Sequence, residues 1–217
     1  MDKAAIETGS PYGDLNQENP PIILIEGPDT VGKTTTARYL QGLIASHNLL
    51  KLSAAPGQKD NAYMRNVYRA ATDLFFAAPK NTFIIDRYTP SERVYGGLYR
   101  GLTEEKSTHL RWAEEEMARR NGHVFLFLLN EEQYAERLAK RQAETNEKYQ
   151  TVESLMRLHE RYVEVVATQV AMPSERKWLV NADHPTEVLA EQILFATGMK
   201  NGEINTDILQ NLRDAGY

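Results

Sequence analysis

The stretch Ile22-Ile23-Leu24-Ile25-Glu26-Gly27-Pro28-Asp29-Thr30-Val31-Gly32-Lys33-Thr34 decides the fold. Its first four residues are a continuous apolar run, the pattern of a strand buried on both faces of a parallel sheet. Gly27 to Thr34 then satisfy G-x-x-x-x-G-K-[ST] between an expected strand and an expected helix, the context this motif needs. Glycines let the backbone turn tightly, so that successive N–H groups converge on phosphate oxygens, and the helix opening near Lys33 adds the positive end of its dipole. Gly27, Thr30, Val31, Gly32, Lys33, Thr34 and Thr35 are read on this basis as an ATP-binding loop. Lys33 would neutralise the β and γ phosphates, and the Thr34 hydroxyl would complete a Mg²⁺ shell.

Four more short apolar runs follow, at Leu49 to Leu52, Thr82 to Ile85, Val124 to Leu129 and Lys177 to Val180. Between them lie stretches long enough for helices, at Thr34 to His47, Asn61 to Phe76, Lys106 to Asn121, Glu131 to Arg141 and Val152 to Ala171. Strands alternating with helices predict an α/β fold of three layers, a parallel five-stranded sheet flanked by helices. A helix from Glu187 to Thr197 ends at Gly198, a usual cap position. Residues 1–21, with Gly9, Pro11, Gly13, Pro20 and Pro21, read as a loose leader, 22–198 as the domain, and 199–217 as a docked or frayed tail.

Composition narrows the partners. Lys and Arg number 25 against 30 Asp and Glu, a formal net charge of −5, so no global basic field would hold nucleic acid or an anionic membrane. The absence of cysteine excludes disulfides, thiolate metal sites and a cysteine nucleophile, and fits a reducing cytoplasm. No apolar run approaches the roughly 20 residues of a membrane span.

The phosphate loop alone does not name a reaction, because switches, motors and small-molecule kinases share it. An Asn-Lys-x-Asp sequence is absent, which weakens a regulatory GTPase reading. After the third run comes Asp86-Arg87-Tyr88-Thr89-Pro90-Ser91-Glu92-Arg93-Val94-Tyr95. With Glu26-Gly27-Pro28-Asp29 and Gly32-Lys33-Thr34-Thr35 it resembles the thymidylate kinase family, whose members read E-G-x-D-x-x-G-K-T-T and D-R-Y-x-x-S-x-x-A-Y. The resemblance spans roughly residues 22–198, including Glu136-Arg137-Leu138-Ala139-Lys140-Arg141 as an arginine-bearing lid, about 137–150, and Val180-Asn181-Ala182-Asp183 before the last helix.

The resemblance implies roles residue by residue. Asp29 is expected near the sugar and the metal, Asp86 at the Mg²⁺ through water, and Arg87 on the acceptor phosphate. Ser91 is expected to bind the substrate, Glu92 falls near the acceptor base, and Tyr95 lies under the sugar where a 2′-hydroxyl would project. Arg65, 21 positions before Asp86, matches an arginine that contacts the acceptor phosphate, and Arg69 one turn on could serve instead. Arg137 and Arg141 share a helical face, and phosphoryl transfer needs such cations to hold the charge spread over equatorial oxygens. Family members carry the catalytic arginine in the phosphate loop or in the lid; Thr30 stands at the loop position here, so the lid is expected to supply it. The resemblance also implies a homodimer.

Departures cluster at the acceptor. Ser53-Ala54-Ala55-Pro56-Gly57 lacks the family's phosphate-contacting arginine, and a helix before the next element is deleted. Asn61 replaces a stacking phenylalanine, and Gly96 replaces Gln or Ser. Glu92 could receive an exocyclic amine, which thymine lacks. The expectation is a Mg²⁺-dependent kinase of deoxynucleoside 5′-monophosphates with ATP as co-substrate, dTMP first. Another or modified deoxynucleotide, a deoxynucleoside kinase, and a non-catalytic ATP-binding switch or scaffold are the alternatives.

Overall fold

The computed structural model describes residues 20–52, 61–145 and 150–216. The leader up to residue 19, the Ser53–Gly57 segment and lid residues 146–149 lie outside them, as does the side chain of Asn61. Ile22–Glu26 forms β1, buried along its whole length. Parallel neighbours on either side satisfy its backbone: β3 (Thr82–Asp86), with Ile23 opposite Ile84, and β4 (Gly122–Leu128), with Leu24 opposite Val124. The sheet is completed by β2 (His47–Lys51) beyond β3, and by β5 (Lys177–Asn181) and β6 (Leu209–Asn211) beyond β4, in the order β2-β3-β1-β4-β5-β6.

The period of two along each strand divides the core into two layers. Ile22, Leu24, Phe83, Ile85, Val124 and Leu126 face α2 (Asn61–Ala77), α3 (Thr89–Arg100), α4 (Thr108–Arg119) and α6 (Val152–Thr168). Ile23, Ile25, Ile84, Phe125 and Phe127 pack with α1 (Lys33–Leu43), α5 (Glu131–Thr145) and α7 (Thr186–Ala196). Helices on both faces of a mainly parallel sheet are the expected three-layer arrangement.

Three details correct the sequence reading. The sheet has six strands among the described residues, not five, because Leu209–Asn211 pairs antiparallel with β5, placing Val180 opposite Leu209. This strand lies in the stretch read as a tail; it buries Leu209 and Leu212 and covers an edge of the sheet that would otherwise present unpaired amides. The first helix stops at Leu43 and His47 opens β2, although the helix was expected to reach His47. Between Asp86 and Lys106, where the sequence predicts no helix, α3 runs. Gly96 and Gly97 give that segment poor helix propensity, and tertiary contacts override it. Arg93 sits inside the fold in a bidentate pair with Glu114 of α4, Nε to Oε1 at 2.9 Å and Nη2 to Oε2 at 3.0 Å, with Ser107 Oγ accepting from Nη1. Gly101, left-handed at φ +63°, ends the helix.

The strand order reverses at β1, the place where open α/β sheets form their ligand crevice beyond the strands' carboxyl ends. The phosphate loop leaves the sheet there, and Asp86-Arg87 ends the next strand.

Candidate active site

The phosphate loop is held in a conformation that L-residues resist. Gly27, Thr30 and Gly32 have φ of +133°, +72° and +86°. A side chain at Gly27 would run into the carbonyl oxygen of Phe127 on β4, so this glycine is also required by close approach. Val31 anchors the loop in the core, while Thr35 is exposed on α1. Lys33 opens α1, is 6% exposed, and donates from Nζ to the Pro28 carbonyl. Burial, and after it the nearby Arg87 charge, lowers the Lys33 pKa to about 7, against the opposing pull of Asp29, Asp86 and Glu26.

Thr34 Oγ1 donates to Asp86 Oδ2 at 2.5 Å. Asp86 is 2% exposed, and its other oxygen, Oδ1, is buried with no hydrogen-bond partner. A hydroxyl and a carboxylate with an unsatisfied buried oxygen beside a phosphate loop fit a Mg²⁺ ion, which takes one or two carboxylates and completes its shell with phosphate and water. No group of three or more His, Asp or Glu side chains forms a metal cluster among the described residues.

Arg87, itself left-handed at φ +70°, is the hub of a hydrogen-bonded cluster beyond the end of β3. Its Nη1 donates to Tyr162 Oη at 3.0 Å, Ser91 Oγ at 3.3 Å and the Gly27 carbonyl at 3.4 Å, and Nη2 pairs with Asp29. Its guanidinium carbon lies 5.4 Å from the centre of the Tyr95 ring, a cation–π distance. Burial raises the Asp29 carboxyl, but Arg87, Lys33, a 2.7 Å hydrogen bond from Gln150 and the Arg141 charge outweigh it and hold it below its ordinary value. Tyr95 lies edge-on to Tyr162, with its hydroxyl buried and unpartnered.

Glu26, fully buried at the end of β1, caps α3 from outside the helix. Its Oε1 accepts the Tyr88 and Ser91 N–H groups at 2.5 and 3.4 Å, and Oε2 accepts the Ser91 hydroxyl at 2.6 Å. Burial raises its pKa and these hydrogen bonds oppose the rise. Glu92, 3% exposed, is engaged inward: Oε2 receives Arg100 Nη2 and, at 3.4 Å, Tyr68 Oη.

From α5, Arg137 reaches back over the loop. Its Nη2 donates to the Ala182 carbonyl at 2.7 Å and its Nη1 to the Thr30 carbonyl at 3.5 Å, with Asp183 3.5 Å away. Arg65 and Arg69 lie elsewhere. They are exposed on α2 and line, with Asp73, His109 and Trp112, a cleft of about 380 Å³ that includes no phosphate-loop residue.

The structure thus brings together Asp29, Lys33, Thr34, Asp86, Arg87, Ser91, Tyr95 and Arg137, and sets Arg141 within electrostatic reach of Asp29. Sequence reading missed Tyr162, Gln150, Lys51 and the capping role of Glu26. Tyr162 lies in a run of helical core positions and carries no signal of its own; Gln150 sits at the far end of the lid stretch, the one hint available.

No protein-family model matches the chain, and no curated protein matches it by sequence. Solved structures do. The YorR protein of Bacillus subtilis, solved in complex with phosphorylated GDP, is 21% identical over 82% of this chain and 96% of its own, with a TM-score of 0.66. The tunicamycin resistance protein of Deinococcus radiodurans is 17% identical over 83% and 97%, with a TM-score of 0.55. The chain shares with these two proteins its fold, a mainly parallel sheet flanked by helices. A thymidylate kinase from Candida albicans is 20% identical over 86% and 97%, at a TM-score of 0.48. Among the described residues, no helix is long and apolar enough to cross a membrane.

Proposed function

We propose that this chain is an ATP-dependent phosphotransferase acting on a deoxynucleoside 5′-monophosphate, with dTMP as first acceptor. The observation that carries the reading is the convergence of two cations, Lys33 buried and Arg87 half-buried. Lys33 opens α1 and Arg87 follows β3, yet they donate to the neighbouring loop carbonyls of Pro28 and Gly27, and Arg87 is near enough to lower the Lys33 pKa. Two like charges forced together out of water are costly by themselves and favourable around anions, the arrangement expected where a donor and an acceptor phosphate meet.

In the proposed reaction an oxygen of the acceptor 5′-phosphate forms a bond to the γ-phosphorus of ATP as the bond from that phosphorus to the β–γ bridging oxygen breaks, releasing ADP. The attacking phosphate is already anionic near neutral pH, so no side chain need remove a proton. Arg87 orients the acceptor phosphate and is itself oriented by Asp29 and Tyr162. Lys33, with Arg137 and Arg141 from the lid, offsets charge on the transferring group. A Mg²⁺ ion held by Thr34 and Asp86 would add Lewis-acid stabilisation of the phosphates.

Tyr95, packed against Arg87, supports a deoxyribose, and the engagement of Glu92 with Arg100 and Tyr68 leaves thymine unopposed by a carboxylate needing an amine. YorR, solved with phosphorylated GDP, supports nucleotide binding by this fold. The homodimer implied by the resemblance belongs to the same proposal, and sedimentation tests it. Steady-state assays with ATP and dTMP, dUMP, dCMP, dGMP and dAMP test the function: turnover is expected to be fastest with dTMP, faster acceptance of another base would move the acceptor, and no turnover with any would overturn the reading.

A further inference from the structure

Lys51 is the last residue of β2, and neither a motif nor the resemblance gives it a role. Its side chain is 57% exposed, yet Nζ donates to Thr34 Oγ1 at 3.1 Å and stands 3.6 Å from Asp86 Oδ2. These are the groups suited to hold a divalent cation. Three features meet in a small space: an ammonium, a hydroxyl whose hydrogen is directed to Asp86, and a carboxylate whose second oxygen is buried without a partner. An ammonium on a flexible four-carbon stem can neutralise such a pair and then leave it, because it needs no fixed coordination geometry.

We propose that Lys51 is an exchangeable counterion of the cation site: without nucleotide it neutralises the Thr34–Asp86 pair and holds divalent cations off, and with nucleotide it turns to the phosphates. The proposal rests on the reading that phosphate and cation bind at this loop. An ammonium and a divalent ion on the same two groups would lie within a few ångströms and repel, a repulsion that persists even in water-like surroundings. One of them must yield. Lys51 is able to, being exposed at the carboxyl end of the sheet, the end from which the phosphate loop leaves. Among the described residues, the charges around Lys33 and Asp86 also include Arg87, Asp29 and Glu26; Lys33 is buried at the start of α1 and Arg87 is held by Asp29 and Tyr162, so Lys51, exposed, is the cation able to travel. The cation would accordingly arrive with the nucleotide rather than ahead of it.

The test uses the full chain. Mn²⁺ binding without nucleotide is followed by the electron paramagnetic resonance of the unbound ion, and metal-free binding of the ATP analogue AMP-PNP by calorimetry in chelator. Lys51→Met removes the charge at an exposed position, with folding checked by thermal unfolding. The variant is expected to bind Mn²⁺ about tenfold more tightly than the wild type, the scale of one facing charge removed, and AMP-PNP about tenfold more weakly. Adding Thr34→Val should abolish the Mn²⁺ gain. A residue that merely props up β2 would move both affinities in one direction. Mn²⁺ affinity of Lys51→Met within twofold of wild type, or a gain that survives Thr34→Val, overturns the proposal. A wild type that binds both probes but transfers no phosphoryl group would sink the proposed function and leave these binding results standing.

Discussion

Arg87 Nη1 donates to Tyr162 Oη at 3.0 Å, tying the carboxyl end of β3 to α6 across 75 positions of sequence. Tyr162 Oη lies 2.8 Å from Ser91 Oγ, which donates to Glu26 at 2.6 Å. A guanidinium only donates and a carboxylate only accepts, so the two hydroxyls between them must pass hydrogen bonds one way, from Arg87 to Glu26. Arg87 is thereby aimed from the core.

Tyr162→Phe cuts this relay while keeping the ring in place. A hydrogen bond to a charged group contributes about 1.5–3 kcal/mol, so the acceptor KM should rise roughly 10-fold or more. The ATP KM should stay within about twofold, and steady-state kinetics with each substrate varied in turn measure both. Equal rises in the two constants would reduce Tyr162 to packing.

Lys33 ties nucleotide binding to pH. With its pKa near 7 in the absence of nucleotide, it is mostly neutral at pH 8, and a bound triphosphate favours its charged form. ATP binding should therefore take up most of a proton at pH 8 and almost none at pH 6, read by calorimetry in buffers of different ionisation enthalpy. Because the unfolded lysine keeps its proton up to about 10.5, the unfolded chain holds the extra proton between about pH 7 and 10.5, and this group's contribution makes stability rise with pH across that window. Lys33→Met should flatten the rise; proton uptake that is the same at pH 6 and 8 would contradict the assignment.

The two lid arginines should separate kinetically. Arg141, whose charge reaches Asp29, is expected to act on the transferring group, and Arg141→Ala should lower kcat by roughly 10²- to 10³-fold. Arg137, tethered to Ala182 and Asp183, should contribute more to the ATP KM than to kcat. Lys in place of Arg141 should rescue poorly, since a point charge lacks the planar fork. If both alanine variants keep kcat within about twofold of wild type, the lid does not supply the charge.

Two glycines of the phosphate loop should differ in what they tolerate. Gly27→Ala meets both a left-handed backbone and the Phe127 carbonyl, and should cost about 3 kcal/mol or more of stability. Gly32→Ala faces only Arg137 Nη1 at 3.7 Å, so its cost should be the backbone strain, about 1–2 kcal/mol. Denaturant unfolding of both variants gives the order; a Gly27→Ala protein as stable as wild type would mean that the loop can shift off β4.

Features whose signal is local were legible in the order of residues. The apolar run at Ile22–Ile25 specified a central strand, and the spacing from Gly27 to Thr34 specified the phosphate loop, because strand burial and phosphate binding each leave a contiguous pattern. Asp86-Arg87 was legible at the end of its strand for the same reason. No local pattern encodes what packing imposes: that α3 forms despite two central glycines, held by Glu26 and by the buried Arg93–Glu114 pair; that three residues from Leu209 complete the sheet edge; and that Arg65 and Arg69 line a cleft of their own. Packing also decides that Tyr162, Gln150 and Lys51 reach the site. Each comes from a different part of the chain, and long-range pairing depends on how helices pack over the sheet, where a tyrosine in one helix and a lysine at a strand end reach one site only after the core has closed.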